Sequence, residues 1–169
     1  MSNCRRPAPF PSLTSAASAV GLGALMLLLG ALVFEHGLGL APCPLCLDQR
    51  GPLAAAAMLA LTAAATAPLA PGAARIPLTG AGSILLIGAG IALYHSGVEL
   101  HWWPGPQSCT AAGLPGAITD LRAALSGARI IRCDAIPWSL FGLSLANYNA
   151  IVSTALAALA GLATRRSVP

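Results

Sequence analysis

The chain has 169 residues, of which 56% are hydrophobic and only 8% charged, with a net charge of +4. A soluble domain of this size needs a far more charged surface, so the composition predicts a membrane protein with a single domain. The chain has no lysine and no basic stripe, which argues against nucleic-acid binding.

Four long uncharged stretches separate the charged residues, and each exceeds the roughly 20 residues that cross a bilayer as a helix. They predict an all-α fold over residues 1–169, a bundle of four transmembrane helices at about 16–35, 48–68, 77–98 and 138–163. The alanines of the second helix indicate close helix packing. The first apolar run is too long for a signal peptide and lacks a small-residue cleavage site, so we expect an uncleaved helix.

The charges also predict the orientation in the membrane. Four helices place both termini on the same side of the membrane. Arginines in the short segments that flank the helices fall on this side too, and such segments are typical of the cytoplasmic side. The acids all fall on the opposite, outer side: Glu35, Asp48, Glu99, Asp120 and Asp134. The sequence therefore predicts cytoplasmic termini and two outer segments, a short one at about 36–47 and a long one at about 99–137.

The long outer segment contains a short amphipathic pattern. Ile118, Leu121 and Leu125 share one helical face, and Gly127 follows as a stop signal. This pattern predicts a short helix that lies on the membrane surface. Tryptophans flank the segment, at the depth where this residue prefers to sit: Trp102, Trp103 and Trp138.

Four of the five cysteines fall on the outer side, Cys43 and Cys46 in the first segment and Cys109 and Cys133 in the second. Three pairings are possible, and the one between sequence neighbours is the simplest. A disulfide between Cys109 and Cys133 could serve as a structural staple, whereas one between Cys43 and Cys46 closes almost no loop. A structural zinc site usually repeats a close pair, which the wide second spacing does not. The Cys43–Cys46 spacing therefore favours redox chemistry over a staple or a metal.

Arg50 follows Cys46 by four residues, at the amino end of the predicted second helix. A helix amino terminus favours a thiolate, and a guanidinium on the same face would add to that effect. The arginine could also donate to an acceptor oxygen at the membrane surface. The plainer alternative is a snorkelling arginine that anchors the helix end.

These residues resemble the disulfide-bond formation protein B family, the quinone-coupled membrane thiol oxidases. The resemblance covers nearly the whole chain: four helices, "CPLCLDQR" opening the second, and a cysteine pair between the third and fourth. "YHSGVELHWWPGPQSC" and "RCDAIPWSLFGLSLANYN" also resemble segments of that family. Membership would place the chain in the bacterial inner membrane, with both outer segments in the periplasm.

The resemblance implies a relay of electrons. A reduced, DsbA-like periplasmic oxidase of the thioredoxin fold would attack Cys109, the released Cys133 would attack Cys43, and Cys46 would remain as the thiolate that reduces a quinone, ubiquinone or menaquinone. Arg50 matches the family's quinone-site arginine. Glutathione would be too weak an oxidant for such a partner, by roughly 3–4 kcal/mol.

His95 and Glu99 lie one helical turn apart at the outer end of the predicted third helix. An ionisable histidine there would hydrogen-bond the quinone ring or relay protons, or the pair would simply cap the helix end. The nearest rival is the vitamin K epoxide reductase type, in which the loop pair precedes the CxxC, the reverse of the order here. A membrane protein with purely structural disulfides is the other alternative.

Overall fold

The computed structural model describes residues 12–106, 109 and 132–166, and this part of the chain is mostly helical. The helices are α1 (Leu13–His36), α2 (Pro44–Asp48), α3 (Arg50–Thr66), α4 (Pro71–Glu99) and α5 (Leu145–Arg166); a hairpin of β1 (Ser139–Leu140) and β2 (Leu143–Ser144) precedes α5. The predicted surface helix around Ile118 lies outside the described residues.

The observed ends of the helices differ from the predicted ones where proline and turn chemistry intervene. α4 begins at Pro71 rather than at 77, because a proline suits the first turn of a helix, and Pro77 lies inside it. The predicted last helix started at 138, whereas the structure places a hairpin there first. Phe141 and Gly142 form its two-residue turn, with φ of +50° and +78°, as a type I′ hairpin turn requires.

Four long helices form a bundle in which α1 and α4 each pack on both α3 and α5. Small residues allow the close approach. A Cβ added at Gly21 of α1 would lie 2.8 Å from Leu61 of α3, and one at Gly82 of α4 would lie 3.2 Å from Ala160 of α5. The buried core is rich in alanine: Ala17, Ala24, Ala56, Ala57, Ala60, Ala63, Ala81, Ala157 and Ala160, with Val20, Leu53, Leu78 and Leu85.

Among the residues that the structure describes, three helices are long and apolar enough to cross a membrane: Leu13–His36, Pro71–Glu99 and Leu145–Arg165. α3 has 17 residues, or about 25 Å at the usual helical rise, against a hydrocarbon core of about 30 Å. Large apolar side chains cover the outside of the bundle; Met26 and Ile76, for example, are 73% and 77% exposed. Such a surface is suited to lipid.

Candidate active site

Cys43 and Cys46, the inner pair, meet at the start of α2. Cys43 is the N-cap residue, and its sulfur accepts a hydrogen bond from the backbone N–H of Cys46 at 3.2 Å. Pro44 occupies the first turn, where its missing N–H is not needed. The two Sγ atoms lie 2.7 Å apart, and both cysteines are free thiols in the structure. The cap geometry therefore holds both sulfurs within reach of one another.

The two thiols of the inner pair differ in acidity. The pKa of Cys46 is lowered, chiefly because the Cys43 side chain hydrogen-bonds to its sulfur, and Arg50 adds a smaller favourable charge. The pKa of Cys43 is raised, because the same hydrogen bond and burial both favour its protonated form. Cys43 is also buried, whereas Cys46 is half-buried. Cys46 is consequently the better thiolate of the two.

Alkylation should show this asymmetry. In reduced, quinone-free protein we expect the rate of Cys46 alkylation to rise with pH through a midpoint below the ordinary thiol value of about 8.5, while Cys43 stays unreactive. The measurement is iodoacetamide labelling from pH 5 to 9, mapped by mass spectrometry. Cys43→Ala should move the Cys46 midpoint upward, because it removes the donor. A Cys46 midpoint at or above the ordinary value in the native protein would contradict the assignment.

Cys109 and Cys133, the loop pair, form a disulfide with a Cα–Cα distance of 5.1 Å. Both residues are buried, and they pack with Cys43, Leu45 and Val98 in one small cluster. The Sγ of Cys133, the Sγ of Cys43 and a ring nitrogen of His95 all lie within 4.8 Å of one another. Since the Cys133 sulfur is bonded to Cys109, this cluster is a contact between a disulfide and a thiol. The fold thus brings the two pairs together at Cys43 and Cys133.

His95, on α4, lies at the junction of the two pairs and is buried. Its Nε2 lies 3.6 Å from the Cys43 Sγ and 3.8 Å from Glu99 Oε1, and its Nδ1 lies 3.0 Å from the side-chain nitrogen of Gln49. Asn149 of α5 donates to the Gln49 carbonyl oxygen at 2.7 Å. A continuous buried polar chain therefore runs from the last helix to the inner pair.

Glu99 closes the other side of the histidine. It is buried at the end of α4 and accepts a hydrogen bond from the Ser144 hydroxyl, which also accepts from the Asn147 amide at 3.1 Å. A pair of His95 and Glu99 was one of the two alternatives that the sequence left open, and the structure adds the hairpin residue Ser144 as a partner of the carboxylate. This carboxylate is therefore held by the segment that the sequence had assigned to a helix.

Arg50 is the first residue of α3 and follows Cys46 by four residues. Gln49, which separates α2 from α3, keeps a right-handed helical backbone, and its N–H bonds the Leu45 carbonyl at 3.3 Å. Its Nη1 pairs with Glu35 Oε2 of α1 at 2.6 Å, and its Nε is buried without a hydrogen-bond partner among the described residues. Glu35 therefore holds the Nη1 of Arg50, and the Nε–H has no acceptor among the described residues.

A cavity of about 510 Å³ lies beside the inner pair, between α1, α3 and α5. Its wall is largely apolar: Met26, Leu27, Phe34, Leu53, Trp138 and Leu145. Polar groups are concentrated at the end near the sulfur atoms, where Cys46, Arg50 and His95 reach the wall. The cavity combines an apolar body with a polar end, which is the usual form of a small-molecule site.

The structure therefore gathers all the residues that the sequence singled out as a site: Cys43, Cys46, Arg50, His95, Cys109 and Cys133.

Sequence reasoning did not find Glu35 or Gln49. The glutamine stands directly before Arg50, but its role depends on contacts 46 and 100 residues away along the chain. Asn149 of α5 makes a hydrogen bond to Gln49, which lies between α2 and α3. Asn147 and Tyr148 instead bond Ser144 and Leu140, close to their own helix.

These features define a multi-pass helical membrane protein that carries two cysteine pairs at one end of its bundle. Residues 14–163 match the family described as Disulfide bond formation protein DsbB. The chain is also 30% identical over 135 residues to Disulfide bond formation protein B of Aromatoleum aromaticum, which covers 76% of this chain and 78% of that protein. The chain belongs to the DsbB family, as the resemblance predicted, and is a membrane oxidoreductase of disulfide bond formation.

Proposed function

We propose that this protein takes electrons from a reduced, DsbA-like periplasmic oxidase of the thioredoxin fold and passes them through its loop pair and inner pair to a membrane quinone. The observation that carries the proposal is the proximity of the two pairs, with the sulfurs of Cys43 and Cys133 within 4.8 Å. Thiol–disulfide exchange needs direct contact between the attacking and the attacked sulfur. Two structural staples have no need of such contact.

The geometry supports one direction of attack on the loop pair. Cys133 faces Cys43, so the partner's thiolate should bond to Cys109 and release Cys133 beside its target. The Cys133 thiolate then attacks an oxidised inner pair at Cys43. The Cys43–Cys133 bond forms, the Cys43–Cys46 bond breaks, and Cys46 leaves as a thiolate. Because Cys109 is buried, its covering residues must move aside before the partner can reach it.

The second half of the relay returns the loop pair to its disulfide. The second thiolate of the partner attacks its own mixed disulfide, so the partner leaves oxidised and Cys109 becomes a thiolate. Cys109 then attacks Cys133, the Cys109–Cys133 bond reforms, and Cys43 leaves. Two electrons now reside on the inner pair, with Cys43 as a thiol and Cys46 as a thiolate, in agreement with their pKa directions.

The residues around the cavity fit a quinone, ubiquinone or menaquinone. When bound, a quinone accepts two electrons and two protons. The apolar wall suits its ring and isoprenoid chain, and Arg50 has a buried Nε with no partner among the described residues, which can donate to a carbonyl oxygen. Cys46 lines the same cavity, and His95 and Glu99 supply ionisable groups at its polar end.

Arg50→Ala should raise the KM for quinone by about 10- to 150-fold and leave the KM for the protein partner nearly unchanged. This is the loss expected from one charge-assisted hydrogen bond, about 1.5–3 kcal/mol. The measurement is steady-state quinone reduction in detergent at varied quinone and partner concentrations. Arg75→Ala is a matched control, because Arg75 also has a buried Nε without a described partner but does not line the cavity. An unchanged quinone KM in Arg50→Ala would leave this arginine only an anchoring role.

The membrane arrangement follows from the same proposal. α3 also crosses the bilayer, at the short end of the range of spanning lengths, and makes the bundle a four-helix one. Both termini face the cytoplasm and both cysteine pairs face the periplasm of a bacterial inner membrane. Arg75 and Arg165, at the ends of α4 and α5 distant from the cysteines, support this orientation.

A further inference from the structure

The orientation of the Gln49 amide is fixed by its neighbours. Its nitrogen lies 3.1 Å from the backbone carbonyl of Leu45, which can only accept a hydrogen bond, and its oxygen accepts from the Asn149 amide. Asn149 is oriented in turn by the Ser153 hydroxyl, which donates to its oxygen at 2.9 Å. The Gln49 group that faces His95 is consequently its NH₂, a donor.

A donor at Gln49 determines which nitrogen of His95 carries hydrogen. The Gln49 nitrogen lies 3.0 Å from Nδ1, so Nδ1 must accept, and a neutral imidazole then carries its hydrogen on Nε2. Nε2 faces the Cys43 sulfur at 3.6 Å and Glu99 Oε1 at 3.8 Å. In this form the ring cannot remove a proton from Cys43 or Cys133. It can only donate, toward the Cys43 sulfur, the Glu99 carboxylate or the backbone of Cys133.

We propose that Gln49 is a positioning residue that keeps the hydrogen of His95 on Nε2, so that the imidazole stabilises Cys43 when this sulfur leaves as a thiolate. The role rests on the proposed relay. In its last exchange the Cys109 thiolate attacks Cys133, the Cys109–Cys133 bond forms, the Cys133–Cys43 bond breaks and the electron pair stays on Cys43. A hydrogen-bond donor at 3.6 Å lowers the energy of that thiolate until it takes up a proton.

Nuclear magnetic resonance of ¹⁵N-histidine tests the tautomer without any turnover. The chain has three histidines, so the variant His36→Gln/His101→Asn leaves His95 alone to be observed. Asparagine is chosen at 101 because the backbone φ there is +59°. We expect an unprotonated Nδ1 and a protonated Nε2. Gln49→Glu in the same background should place the hydrogen on Nδ1, because a carboxylate can only accept. A hydrogen on Nδ1 before the Gln49 change would overturn the proposal, whether or not the glutamate variant folds.

Timed alkylation tests the consequence for exchange. Quinone-free protein with both disulfides formed is mixed with reduced thioredoxin, the dithiol that the proposed relay directs to Cys109, then quenched in acid and labelled. We expect Gln49→Glu to slow the appearance of free Cys43 by about 10-fold and to leave the loss of the Cys109–Cys133 disulfide unchanged. The control is the native protein, carried through the same mixing, quench and labelling in parallel. If Gln49→Glu moved the hydrogen of His95 to Nδ1 but Cys43 still appeared at the native rate, the proposed role of Gln49 would be overturned. Failure of thioredoxin to reduce the loop pair at all would count against the relay, while the tautomer result would stand on its own.

Discussion

Cys46→Ser is expected to abolish quinone reduction, by more than about 1,000-fold, because it removes the cavity-lining sulfur that the proposed relay assigns to quinone reduction and whose pKa is lowered. Cys43 would remain, but without Cys46 the inner pair cannot form its own disulfide. The loop disulfide is untouched by the change. Reduced partner protein should therefore still attack Cys109, and the variant should accumulate as a mixed disulfide with it.

Two measurements check this expectation. Quinone absorbance without oxygen gives the turnover rate, and non-reducing electrophoresis shows the mixed disulfide. Cys4→Ser is the matched control, since it makes the same chemical change at a cysteine that belongs to neither pair. Substantial quinone reduction by Cys46→Ser, with the partner as electron donor, would show that electrons do not leave the protein through this sulfur.

Changing both Cys109 and Cys133 to Ser should abolish oxidation of the protein partner and leave the inner pair able to exchange electrons with quinone. The inner pair is held by α2, Gln49 and His95, none of which needs the loop disulfide as a covalent support. A small dithiol such as dithiothreitol can then replace the partner as electron donor. Quinone reduction should persist with dithiothreitol and fall to the uncatalysed level with the protein partner.

The same double variant separates a relay from a staple. The loop pair spans 24 residues, so a purely structural disulfide would stabilise the fold by about 3 kcal/mol through chain entropy. A staple predicts a lower melting temperature with unchanged partner oxidation in the protein that remains folded. If the double variant oxidised the partner at the native rate, the loop pair would be a staple and the relay would be wrong.

Much of the fold could be predicted from the sequence because a bilayer imposes a simple rule on composition. The uncharged stretches located the helices. Both cysteine pairs lie between these stretches, on the same predicted side of the membrane. Local turn chemistry was the main source of error. The hairpin before α5 requires Phe141 to adopt a left-handed backbone conformation, which is rare for phenylalanine. In the sequence, only the glycine that follows it indicates a turn.

The site was predictable only for residues whose chemistry is rare. A cysteine pair with a nearby arginine stands out in an apolar chain, whereas a glutamine or a glutamate beside it does not. Gln49 acquires its role through His95 and Asn149, on two other helices, and Glu35 becomes significant only because α1 brings it to 2.6 Å from Arg50. Such contacts arise from packing, and no local spacing in the sequence indicates them.

The most direct test of the relay is the stoichiometry of quinone reduction by the unmodified protein. Purified protein in detergent is mixed, without oxygen, with a limiting amount of a reduced thioredoxin-fold dithiol oxidase and an excess of ubiquinone, or of menaquinone in a parallel trial. We predict that quinone absorbance falls by one equivalent for each equivalent of partner dithiol oxidised, and that it does so only when this protein is present. If the protein catalysed no quinone reduction with any dithiol donor, the relay would be contradicted, and the two cysteine pairs would be structural.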